Sequence, residues 1–168
     1  MDINVQLTPH WNLSELLVTQ NRNFLDMNRT PPQSVVDNLT KFTSAILEPL
    51  RVLNNDPLHA NSGYRCIQLN HAVGGAVNSQ HECGVENGQT EAAADLIDAK
   101  NGNLHLFELI RASKLPFDQL ITECPDANGV PAWILVSWNP ARNRRQVLKA
   151  RITGHRPDGA PLFAYDSL

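Results

Sequence analysis

Hydrophobic side chains are spaced unevenly along this chain, and changes in their period mark its elements. From Pro31-Pro32 to the cluster Asn54-Asn55-Asp56-Pro57, the residues Val35, Leu39, Phe42, Ile46, Leu50 and Leu53 recur at intervals of three and four. That period aligns them as one stripe of a helix, which must pack on a sheet or another helix. Pro and Asn punctuate both its ends. Upstream, Asn12-Leu13-Ser14-Glu15 has a cap residue with Glu three positions later, predicting a short helix to about Gln20. Residues 21–30 are polar and predict irregular structure. Ile67 to Val73 predicts a short amphipathic segment ending at Gly74-Gly75. After Asn101-Gly102-Asn103 another helix is predicted, with Leu104, Phe107, Leu109, Ile110 and Leu115 mostly on its buried side and His105 and Glu108 facing outward.

Elsewhere the pattern suits strands. Leu58 to Asn61 leads into a Ser62-Gly63 turn. Ala92 to Asp98 is an apolar run carrying one carboxylate, Asp95, within it. Residues 118–124, 132–138 and 145–151 are rich in Val, Ile, Leu and Trp, and turn-forming stretches separate them, which predicts an antiparallel meander. The expected fold class is α+β, with helices packed on one face of a small antiparallel sheet. Residues 1–152 are expected to form a single domain, since 168 residues suffice for one core. Residues 153–168 hold two glycines and two prolines with little period. They predict a C-terminal extension, either loosely packed or a partner-binding arm.

Composition narrows the function classes. A net charge of −3 gives no electrostatic support for binding nucleic acid. The basic run from Arg142 to Arg151 fits a solvated hairpin. No apolar run reaches the length of a membrane span, and the N-terminus lacks the pattern of a secretory signal. The expectation is synthesis and folding in a cytoplasm. Cys66, Cys83 and Cys124 are odd in number without C-x-x-C spacing, which argues for reduced thiols.

The chemistry gathers between Ser62 and Asp95. Here a Ser62-Gly63-Tyr64-Arg65 turn is followed by Ser79-Gln80-His81, a glycine-rich polar loop, and Asp95 on its apolar run. An imidazole at a loop mouth and a carboxylate on a strand suit zinc. A capped turn and a strand with one solvent-facing Asp satisfy the same pattern.

The order S-G-Y-R, L-N, V-G-G, S-Q-H, Gly and A-A-D resembles the zinc D-Ala-D-Ala carboxypeptidase family, which includes phage peptidoglycan endopeptidases and shares its fold with the hedgehog signalling domain. The likeness extends to Leu47-Glu48-Pro49-Leu50-Arg51, to Phe117 to Glu123, to Trp133 to Trp138 and to Asn143-Arg144 through Val147-Leu148, covering roughly residues 8 to 150. It implies zinc-dependent hydrolysis of D-amino-acid-containing wall peptides. His81 and Asp95 would be metal ligands and Arg65 the substrate clamp. Ser79 would donate a hydrogen bond to substrate, Tyr64 would lie at the substrate beside it, and Glu123 would be the general base.

Two positions depart from the family pattern. His81 and Asp95 are fourteen residues apart rather than seven, with an inserted polar loop at about Val85 to Glu91. Leu135 stands where the family's closing strand carries its third metal ligand, so zinc is expected to be weakly held or absent unless His71, Glu82, Cys83, Glu86, Glu91 or His155 substitutes. The alternative reading is therefore a catalytically inactive pseudo-peptidase that serves as a peptide-binding or virion structural module. The partners implied are peptidoglycan peptides and phage virion proteins. With no signal peptide, delivery to a wall would fall to a holin or a phage particle.

Overall fold

The computed structural model describes residues 2–155, 157, 159 and 161–168. Two short strands, β1 (Gln6–Thr8) and β2 (Trp11–Asn12), lead into α1 (Leu13–Leu16). The Asn12 N–H donates to Glu15 Oε2 at 2.7 Å, so the expected capping pair starts that helix. After α2 (Leu25–Asn28), the long apolar stripe forms α3 (Gln33–Phe42) and α4 (Glu48–Asn54), joined by one wide π turn at Thr43–Leu47. Pro49 accounts for the interruption. It has no N–H to give Ala45, and its ring crowds that carbonyl. Val35, Leu39, Phe42, Ile46 and Leu50 are buried as predicted. The wider turn brings Leu47 inward and turns Leu53 outward, 53% exposed.

A six-stranded sheet follows the order β3 (His59–Ser62), β4 (Ala92–Ile97), β6 (Pro131–Trp138), β5 (Gln119–Pro125), β7 (Gln146–His155), β8 (Pro161–Ser167). The short α5 (Ile67–Ala72) connects towards β4, and α6 (Asn103–Ala112) lies between β4 and β5. Every pairing is antiparallel except β5 with β7. The meander expected for the last three strands is therefore only half right. β7 passes β6 and lies parallel on the far side of β5. Asp118 explains the placement: its buried carboxylate takes Arg144 Nε at 2.7 Å and Nη2 at 2.9 Å, pinning the lead-in to β7 beside the start of β5. Within the C-terminal stretch, 153–168, most of the described residues lie in strands. Thr153–His155 complete β7, and β8 pairs along it.

Strand alternation divides the sheet's residues between two faces. Ala92, Ala94, Leu96, Leu120, Ile134 and Val136 join the core with α3, α4 and α6. From α6 the core receives Leu106, Phe107 and Ile110, while Leu104 faces solvent. Each buried Leu, Ile, Val or Phe among these contributes about 1.5–3 kcal/mol over leaving it in water. The opposite face carries Asp95, Leu135, Ile121 and Leu148 in one cross-strand row, and this face is where the cleft lies.

Candidate functional site

Backbone contacts fix the site before any functional side chain is placed. At the end of β3, Gly63 passes so close to α1 that an added Cβ would lie 2.5 Å from the Leu16 carbonyl oxygen. The next N–H, from Tyr64, donates to that same oxygen at 2.7 Å. Asn28 is fully buried and clamps this turn. It donates to the Leu17 and Tyr64 carbonyls at 3.1 and 3.0 Å and accepts from the Cys66 N–H at 2.8 Å. The Arg65 N–H then donates to the His81 carbonyl at 2.8 Å, tying the Ser-Gly-Tyr-Arg turn to the turn at Gln80–Glu82.

His81 is buried, and its Nδ1 lies 2.6 Å from the Gly63 carbonyl oxygen. A carbonyl accepts only, so Nδ1 carries the hydrogen, and in the neutral ring Nε2 presents a lone pair. That Nε2 is 3.5 Å from Asp95 Oδ1, and both atoms are buried without a hydrogen-bond partner. Asp95 Oδ2 accepts from Arg65 Nη2 at 2.5 Å, and Arg65 Nε donates to Ser62 Oγ at 2.9 Å. The fold thus brings together His81, Asp95 and Arg65, three of the residues singled out in the sequence.

The other candidates fall differently. Ser79 lines the cleft, but its hydroxyl accepts from the His81 N–H at 3.3 Å, so it caps the turn that presents the imidazole. Tyr64 does not line the cleft. It is 4% exposed and packed in the core, because Arg65, its neighbour in an extended turn, takes the cleft side. Glu123 on β5 does face the cleft. Burial pushes its carboxyl up to about 7, and the nearby charge of Asp95 adds to the rise. The Tyr165 hydroxyl, donating to Oε2 at 3.0 Å, and Arg65 oppose it. Tyr165 comes from β8, a strand whose residues carry no periodic signal, so no spacing or motif points to it.

The cleft has a volume of about 1200 Å³ and is open to solvent along the face of the sheet. Ile121, Trp133, Leu135, Leu148 and Phe163 give it apolar walls, while Arg65, His81, Asp95, Glu123, Cys124, Arg142 and Tyr165 supply its charged and titratable groups.

A zinc ion can be tested against this geometry. Two ligands at about 2.0–2.2 Å from a tetrahedral metal stand roughly 3.4 Å apart, and the His81–Asp95 separation of 3.5 Å matches. No third donor stands beside them. Leu135 is the residue paired with Asp95 across β4 and β6, and an alkyl group donates nothing. Nor does the loop at residues 85–91, or the turn before it, help. Glu91 is held by Asn87 and Asn139, and Glu82 by Asn70. Cys83 is buried in the core, and burial pushes its thiol well up. His71 is exposed on α5, and His155 is exposed at the end of β7. Among the described residues no three His, Cys, Asp or Glu side chains are placed to hold a metal ion. The donor set does not fit a catalytic zinc, which takes three protein ligands and a water.

A one-sided helical layer, an open cleft on the other sheet face and a paired imidazole and carboxylate at its centre define the class as an α+β protein built around a one-sided cleft. The model of the family described as Peptidase M15 matches residues 9–125. The chain belongs to that family of zinc peptidases, whose members act on peptidoglycan. The matched span contains Arg65, His81, Asp95 and Glu123 and stops before Leu135. No curated protein matches the chain.

Proposed function

We propose that this chain recognises bacterial wall peptides in the M15 cleft without hydrolysing them efficiently, as a pseudo-peptidase. The observation that carries this reading is Leu135 paired opposite Asp95, in a cleft that otherwise keeps its arginine, its imidazole and its carboxylates. We take Leu135 to stand in the place of the third metal ligand. Arg65 Nε and Nη2 are engaged by Ser62 and Asp95, leaving Nη1 to meet a peptide carboxylate. The apolar row of Ile121, Leu135 and Leu148 offers methyl-sized side chains, such as that of alanine, a dry surface. The natural setting for such a module is a phage particle or another assembly that meets the cell wall.

One observation favours a second reading, a weak hydrolase. Glu123, raised to about 7, is poised as a general base near neutral pH, and the unpartnered His81 and Asp95 atoms keep a ligand-like separation. Incubating purified peptidoglycan fragments with the chain, with and without added zinc, separates the two. The pseudo-peptidase reading expects fragments retained by the protein and unchanged in mass. Released D-alanine or split cross-peptides would establish the hydrolase instead.

A further inference from the structure

We infer that Arg142 is a specificity-determining residue of the cleft, accepting a second carboxylate, one borne on a branch of the bound peptide. The inference rests on the wall-peptide reading and adds to it a selectivity for acidic peptides.

Register places Arg142 at a defined end of the site. Along β6, Trp133 lies beside Glu123, Leu135 beside Asp95, and Ser137 beside Ala93. Arg142 follows in the turn after the strand, its N–H donating to the Asn139 carbonyl at 2.9 Å, and its side chain lines the cleft. One end of the cleft therefore holds a carboxyl group and a phenol, Glu123 and Tyr165. The other end holds a guanidinium.

That guanidinium is not consumed by the fold. Its one ion-pair contact among the described residues is Nε to Asp118 Oδ2 at 3.7 Å, with the side chain 47% exposed. Both Asp118 oxygens are already taken in fork geometry by Arg144, whose backbone N–H adds a third bond at 3.1 Å. Arg65, the other cation of the cleft, is bound to Asp95 at 2.5 Å, a far tighter pairing. A second donor lines the same cleft: the Gln80 side-chain nitrogen is buried without an acceptor. A planar carboxylate matches a free guanidinium bidentately, and an uncharged carboxamide does not.

The test compares a synthetic wall tetrapeptide carrying a free α-carboxylate on its γ-linked glutamate with the same peptide amidated at that group. Calorimetry with the full chain should show the free acid binding about tenfold more tightly, a preference that shrinks as salt rises. Arg142→Gln should bring the two affinities within about twofold of each other, and Arg142→Lys should restore part of the difference. Equal binding of both peptides by the unaltered chain, or an undiminished preference in Arg142→Gln, overturns the role of Arg142 and leaves the wall-peptide reading standing. If neither peptide binds, both readings are overturned.

Discussion

Glu123 is held between opposing influences. Burial and the charge of Asp95 favour its protonated form, while the Tyr165 hydroxyl and Arg65 favour the carboxylate. Its carboxyl rises from an ordinary 4.5 to about 7, so between those values the folded chain holds more of this proton than the unfolded chain. Stability from this group therefore falls as pH rises through that window and is level above it. Glu123→Gln removes the dependence. Its melting temperature, relative to the unaltered chain, should be higher at pH 8 than at pH 5, by about 2–4 °C for each kcal/mol recovered. Tyr165→Phe removes a donor that favours ionisation, so carboxyl NMR should find Glu123 titrating above about 7 in that variant. A lower or unchanged value would mean that the phenol does not govern this carboxyl.

At the scale of elements, the turn bearing Arg65 depends on a residue in a segment predicted to be irregular. Asn28 satisfies three backbone groups from two separate stretches. Asn28→Ala would leave buried donors and acceptors unmet, and denaturant unfolding should show a loss of about 2–4 kcal/mol. A loss below about 1 kcal/mol would show that the turn holds without it. Nothing in the spacing of residues 21–30 marks Asn28, because its partners are main-chain atoms brought near only by the fold. The stripe from Val35 to Leu50 was legible, since helical period and burial are the same fact seen twice. The exits of Leu53 and Leu104 were not, because a π turn and the limits of a neighbouring layer decide them.

At the scale of the whole molecule, the local order of strands was legible and their pairing was not. Alternation marks a strand but carries no address for its neighbour, so β7 was expected beside β6 and lies parallel to β5 instead. The same limit hid Tyr165, which reaches Glu123 only because β8 completes the sheet. The imidazole–carboxylate pair was legible through its motifs despite the longer spacing. The loop at residues 85–91 is held away by Asn38, which donates to the Cys83 and Gln89 carbonyls, and by Asn139, which donates to Gln89 Oε1, so the loop leaves the pair undisturbed. The fold thus sets an imidazole beside a carboxylate in an open cleft, while the strand facing that carboxylate presents leucine. The most direct measurement is a zinc titration against a chromophoric chelator, on the unaltered chain and on Leu135→His. The account predicts weak, substoichiometric zinc in the unaltered chain. In Leu135→His it predicts binding tighter by at least the 10–100-fold, roughly, that loss of a mere outer-shell partner costs. One zinc held tightly per unaltered chain, with no gain in Leu135→His, would contradict it.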